Sequence, residues 1–360
     1  MERPSVRARR FDSVPAALLA LSLLFANACD HREAARDPLS AGDDFSQAAE
    51  PGARNAVLNE DFSNRQIFPA DNWWNLDVSE APLDPASDAF IAWIIPTRQL
   101  HPDFGPPPYG MPYISVAGDQ PLLPITFVLY GDESDPGAPG RPPGYPVPSE
   151  ARTLAGWIEG AVPGGGDDGD RHMLIIDRDH WLLFETWATH WNDALQRWEA
   201  GSGATWDMSV NGRRPEGWTS ADAAGLAVFP GLIRYEDAFG SGEIRHAFRF
   251  TVHATNGHVW PASHSAGSTA GAPPLGARLR LKASVDLTSY PPEVRRLFEA
   301  MKKYGLILAD NGADMYIQGT MDARWNNDVL NPAFRSLHAG DFEVIELGWQ
   351  PEAPSSVGSD

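Results

Sequence analysis

The sequence predicts a mainly β protein: one antiparallel, β-sandwich-like domain with a few peripheral helices. Glycine and proline are abundant, 33 and 32 residues in a chain of 360, a density that suits many short strands joined by turns. Large aromatic side chains, which fit a pleated surface, are frequent at 13 Trp, 16 Phe and 8 Tyr. Short apolar runs recur between turn signals, while stretches of helical period are few. A hydrophobic fraction of 42% supplies a core.

At the amino terminus Arg3, Arg7, Arg9 and Arg10 precede an apolar run from Ala16 to Phe25 and the small residues Ala26-Asn27-Ala28. This is the layout of an export signal, and the run is too short to span a bilayer permanently. Cys29, the sole cysteine, stands just after the expected cleavage site, so residues 1–28 read as a signal peptide and Cys29 as a lipidated first residue. The chain is expected to be exported and lipid-anchored at the cell envelope, in the periplasm or on the cell surface, touching membrane only through that lipid. Residues 29–60 read as a disordered tether, 61–350 as a single β-rich globular domain, and 351–360 as a disordered tail. No disulfide forms within the mature chain, and neither thiol catalysis nor Cys-ligated zinc is open to it. A net charge of −20 argues against nucleic-acid binding, which needs Lys and Arg against phosphate.

Along the domain, Asp84 to Pro96 reads as a short helix with Phe90, Trp93 and Ile94 inward, and Tyr113–Val116 and Leu122–Tyr130 as strands. The segment His101–Gly110 is Pro-dense loop. The runs His172–Ile176 and Trp181–Trp187, apolar on both faces around Asp177-Arg-Asp-His180, form a hairpin of central strands. Glu185 lies inside the second run, where a carboxylate must be paired or carry a raised pKa. From Glu243 to Val252 the residues alternate, with His246, Phe248 and Phe250 on one face and Arg249 on the other. Arg278, Arg280 and Lys282 line one face of the next strand. An amphipathic helix spans Pro291 to Tyr304 with Gly305 as its stop, and Leu306–Ala309 pairs with Met315–Gln318 as a hairpin across Asp310-Asn-Gly-Ala-Asp314.

The strings Gly169-Asp-Arg-His172, Gly201-Ser-Gly203, Trp218-Thr-Ser-Ala-Asp-Ala-Ala-Gly225, Pro274-Leu-Gly-Ala-Arg-Leu-Arg-Leu-Lys-Ala-Ser284, Lys303-Tyr-Gly305 and Ala309-Asp-Asn-Gly312 together resemble those of a family of secreted bacterial (lipo)proteins. The resemblance covers most of residues 68 to 345. It implies one intact domain and carries over no catalytic assignment.

Site candidates therefore come from residue chemistry. Glycosidic cleavage needs two acids, one to protonate the leaving oxygen and one to attack or to activate water. Glu185, in an apolar strand, suits the protonated acid, and Asp207 or Asp222 the ionised partner. His264, at the Trp260-Pro-Ala-Ser-His264 corner, is a further general acid/base candidate. Arg249, Arg278, Arg280 and Lys282 suit an anionic group, or else neutralise those acids. Trp206, Trp218 and Trp260 supply flat faces for sugar rings. Asp167, Asp168 and Asp170 could hold calcium, although their spacing matches no full calcium loop and a solvated turn is the simpler reading; no transition metal is expected. The reading is a carbohydrate-active hydrolase of an envelope or environmental polysaccharide. Its alternatives are a non-catalytic glycan- or partner-binding lipoprotein and a purely structural envelope protein.

Overall fold

The computed structural model describes residues 56–166 and 169–351. The segments expected as export signal and tail, together with Cys29, Asp167 and Asp168, lie outside the described residues. Residues 56–60, expected to belong to the tether, are part of the described fold. Strand β1 (Val57–Leu58) already pairs with β3 (Tyr113–Val116).

The fold is mainly β, built as three sheets with five helices among the described residues. The first sheet runs β1-β3-β5-β6-β9, with β5 at Met173–Asp177, β6 at Leu182–Trp187 and β9 at Ser202–Asp207. The second runs β14-β11-β12-β10-β13-β2 and comprises Phe342–Val344, Arg278–Leu281, Leu306–Asn311, Phe248–Val252, Tyr316–Met321 and His101–Gly105 in that order. The third is small, β4 (Ile125–Phe127), β8 (Arg197–Ala200) and β7 (His190–Asn192). The helices are α1 (Ser87–Ile94), α2 (Glu150–Thr153), α3 (Tyr235–Phe239), α4 (Pro292–Lys303) and α5 (Asn327–Arg335).

The hairpin of β5 and β6 forms where its sequence predicts. Asp177 closes the turn, its carboxylate accepting the backbone N–H of Asp179 at 3.2 Å and of His180 at 3.0 Å. Helix α4 buries Val294, Leu297, Phe298 and Met301 on one stripe. It stops at Gly305, whose φ of +72° is a left-handed conformation that suits glycine, with Leu279 O standing where a Cβ would project.

The single antiparallel sandwich is corrected by the strand directions. β3 pairs β5 in parallel, as do β10 with β12 and β13 with β2. The expected hairpin between the last two long strands does not form either, because β10 lies between β12 and β13. The long route from β10 through β11 and α4 back to β12 makes parallel pairing possible, which a tight turn cannot.

Two features of the second sheet decide where its charged residues point. Phe104 of β2 meets Phe334 of α5 at 5.9 Å and Trp325 at 4.9 Å, so helices cover its side of the sheet. Asp103, one residue earlier, belongs to the opposite face. Between Phe250 and Thr251 the register with β12 slips, and Thr251 sits opposite Asp310 rather than Ala309. A bulge of this kind re-aims a side chain; here it turns Asp310 to the face shared by Thr251 and Arg249.

Candidate functional site

That face gathers charge. Cross-strand register aligns Asp103 with Gln318, and one ladder step beyond the Phe250–Ile317 pair sets Arg249 beside Gln318. Gln318 donates to Asp103. Arg249 is fully buried and donates through Nη2 to Asp222 Oδ1 at 3.0 Å, with both side chains sealed from solvent. From the first sheet comes Glu185, also fully buried. Its carboxylate accepts from the backbone N–H of Val228 at 2.8 Å and of Phe229 at 2.8 Å, the entry to a short 3-10 turn over Phe229–Gly231. His172, just before β5, bridges Glu159 at 2.7 Å and the Ala221 carbonyl at 2.9 Å.

These side chains form a buried layer and a half-buried rim. The layer holds Glu185, Asp222, Arg249 and His172; the rim holds Asp103, Glu159, Asp310, Asn311, Gln318 and His264, with Asp170 exposed beside it. The loop that carries Asp222 closes on Gly225, where φ is +70° and a Cβ would meet Ser263 Oγ and Trp218 O. Ala224 N donates to Ala309 O at 3.0 Å and Asn311 Nδ2 to Ala266 O at 3.1 Å, which ties this loop and the His264 corner to the end of β12. His264 Nδ1 donates to Ala223 O at 2.8 Å. A carbonyl only accepts, so in the neutral ring Nε2 is left as an acceptor.

Burial and like charge hold several of these carboxyls protonated well above their ordinary range. Burial, reinforced by the Asp222 charge and opposed by Arg249, pushes Asp310 up to about 7. Burial together with Glu159 raises Asp103 to about 6, again against Arg249. Burial outweighs the Arg249 guanidinium at Asp222, which rises to about 6, and outweighs two backbone donors at Glu185, which rises to about 7. His172 goes the other way. Burial works against its charge, but Glu159 wins and lifts it to about 9. Four buried acceptor or donor atoms here, Asp222 Oδ2, Gln318 Oε1, Asn311 Oδ1 and Arg249 Nε, have no hydrogen-bond partner among the described residues. Such atoms cost free energy unless something else meets them.

No protein-family model, no curated protein and no solved structure matches the chain. The site must therefore be read from its own geometry.

Of the catalytic and sugar-binding candidates singled out by sequence, Glu185, Asp222, Arg249 and His264 converge here, while Asp207, Arg278, Arg280, Lys282, Trp206, Trp218 and Trp260 do not. Asp207 is exposed and caps its own turn, accepting Ser209 N at 2.9 Å and Ser209 Oγ at 2.5 Å. Arg278 serves backbone carbonyls, donating to Tyr304 O at 2.7 Å, Trp73 O at 2.8 Å and Leu76 O at 3.0 Å. Arg280 pairs with Glu343 at 2.6 Å and donates to Val78 O and Ser79 O, while Lys282 donates to Gly340 O at 2.7 Å. The cationic strand is thus engaged in tying down the chain, and the acids it was expected to meet are elsewhere. Trp206 is core; Trp218 lies half-buried under Arg214 at 5.3 Å, and Trp260 packs edge-on to Trp73 at 6.3 Å. The indole that does reach the rim is Trp187, donating to Asp170 at 3.0 Å. For the calcium reading only Asp170 is described, and no group of three or more His, Cys, Asp or Glu able to hold a metal occurs among the described residues.

Asp103, Glu159, His172 and Asp310 were not among the expected site residues. Asp103 and Asp310 read as loop and turn in the sequence, and only the strand neighbours and the bulge bring them to one face.

The Glu185 shift makes a pH prediction. Its folded pKa, about 7, lies above the ordinary carboxylate value, so its contribution to stability is complete below the unfolded pKa and is lost as pH rises through about 7. Thermal unfolding of wild type should therefore lose ground between about pH 5 and 8 relative to Glu185→Gln, which stays neutral. Parallel curves would contradict the assignment.

Proposed function

We propose that this protein is an exported, lipid-anchored hydrolase of an envelope or environmental carbohydrate, with bond cleavage at the rim of the acidic cluster. Asp310 serves as the acid that protonates the leaving oxygen, and Asp103 is the partner that ionises first. Glu185 and Asp222, fully enclosed, act behind them as charge-setting groups and do not touch substrate.

The observation that carries this reading is the placement of two part-exposed carboxyls on one sheet face, both raised by burial, Asp310 to about 7 and Asp103 to about 6. Glycoside hydrolysis needs such a split between acid and base. β10 and β13 lie between the strands of Asp310 and Asp103, and register sets Asp310 level with His101, two residues before Asp103, so at roughly 4.8 Å per strand and roughly 3.3 Å per residue their backbones stand roughly 16 Å apart. That spacing is too wide for a nucleophile in direct contact, which leaves Asp103 the role of a base acting through water. Trp187, bonded to Asp170 at the rim, and the half-buried Tyr316 offer flat surfaces of the kind sugar rings pack on. Export and anchoring rest on the basic and apolar amino-terminal segment ahead of Cys29.

One observation favours the rival reading of a glycan-binding lipoprotein: the Asp222–Arg249 pair is closed off from solvent. A glycan library scored for both retention and reducing-end release separates the two. Hydrolysis predicts release by wild type and its loss in Asp103→Asn. Retention without release supports the binding module, and undiminished release by Asp103→Asn removes Asp103 from the mechanism.

A further inference from the structure

Near the acidic cluster, at the end of the sheet where β2 and β13 begin, lies a cavity of about 520 Å³ lined by residues that include Arg98, His101, Asp314, Tyr316 and Arg335. Its relation to the cluster follows from register. His101 pairs with Tyr316 and Asp103 with Gln318, so the two strand residues that line the cavity stand one same-face step, roughly 7 Å, from Asp103 and Gln318. This is on the order of the step between adjoining sugars.

The charges in the cavity differ from those of the cluster. Arg98 lies 3.6 Å from Asp314, and Asp314 also accepts from the backbone N–H and ring Nδ1 of His253 at 2.9 and 2.7 Å. Arg335, exposed in the last turn of α5, has no carboxylate partner among the described residues. Burial and the Arg335 charge lower the pKa of His101, so its ring stays neutral. One acid thus stands against two guanidinium groups, and the His101 and Tyr316 rings, 4.2 Å apart, form an aromatic wall.

We propose that this cavity is a subsite for a carboxylate-bearing sugar, a uronate, held through Arg335 and Arg98 one or two units from the bond that is cleaved. The inference rests on the hydrolytic reading of the neighbouring cluster and names its substrate class. A guanidinium fork grips a carboxylate with two parallel hydrogen bonds, and the ring face of the sugar lies on Tyr316. Because the cluster itself is acidic, the anion belongs in the cavity, and the sugar at the cluster is neutral.

The test is binding, measured independently of cleavage. Methyl glucuronoside and methyl glucoside are titrated into the full-length protein and followed by protein NMR shifts. The glucuronoside should bind more tightly by on the order of tenfold, the worth of a charge-assisted hydrogen bond. Arg335→Gln, an exposed change that leaves the melting temperature intact, should erase most of the preference, and Arg98→Gln part of it. Equal binding of the two sugars, or a preference that survives both substitutions, overturns the subsite. A wild-type protein that shows the preference but cleaves no glycan loses the hydrolytic reading alone; one that cleaves but shows no preference loses the subsite alone.

Discussion

Asp310→Asn is expected to lower turnover on a glycan roughly a hundred- to ten-thousand-fold, the usual worth of a positioned general acid. Asparagine keeps the volume and the backbone contacts but has no proton to give. The loss should depend on the leaving group. An aryl glycoside whose phenolate departs without protonation should be hydrolysed at a rate much closer to wild type, while a natural alkyl glycoside should not. Wild-type kcat on the natural bond should fall as pH rises through about 7, where Asp310 loses its proton, and that limb should vanish in the variant. An equal loss on both substrates would show that Asp310 positions something else.

The second large effect is on stability. Arg249→Met is expected to cost about 3–5 kcal/mol, since removing one partner of a buried pair leaves an uncompensated charge. Asp222 sits at 1% exposure and Arg249 at 0%. The guanidinium also lies 3.9 Å from Met111 Sδ, and the Arg249 Cβ is close against Gly231. The double variant Asp222→Leu with Arg249→Met should recover most of the loss, because apolar replacement of a buried pair is often neutral. Urea unfolding measures both. If Arg249→Met unfolds at the wild-type midpoint, the pair does not hold the charges of the two sheets in place.

Both expectations join residues that are legible in the sequence to residues that are not. The central strands β5 and β6 and the inward stripe of α4 are readable because local pattern alone decides them. Glu185 is readable as an anomaly for the same reason: a carboxylate in an apolar run has few ways to exist, and the structure gives it both backbone donors and a raised pKa. Strand order is not readable. Adjacency in sequence suggests a hairpin of β12 with β13, but β10 inserts between them from more than fifty residues away, and local pattern records that a strand exists, not which neighbour it finds. Asp310 illustrates the cost, since its face is set by a bulge that appears only once β10 is in place. The cations of β11 mislead for another reason. Their charges suggest acidic partners, yet Arg278 is held by carbonyl oxygens, which every residue carries and which leave no mark in a sequence. Arg280 does find an acid, Glu343, through the register of β11 with β14.

The claim on which the rest depends is that the buried layer keeps Asp310 protonated near neutrality while leaving it within reach of solvent. Carboxyl carbon NMR of Asp310, followed through a pH titration in wild type and in Asp222→Asn, tests it directly. The account predicts a midpoint near 7 in wild type and a clearly lower one once the Asp222 charge is removed. A wild-type midpoint in the ordinary aspartate range, unmoved by Asp222→Asn, would contradict it.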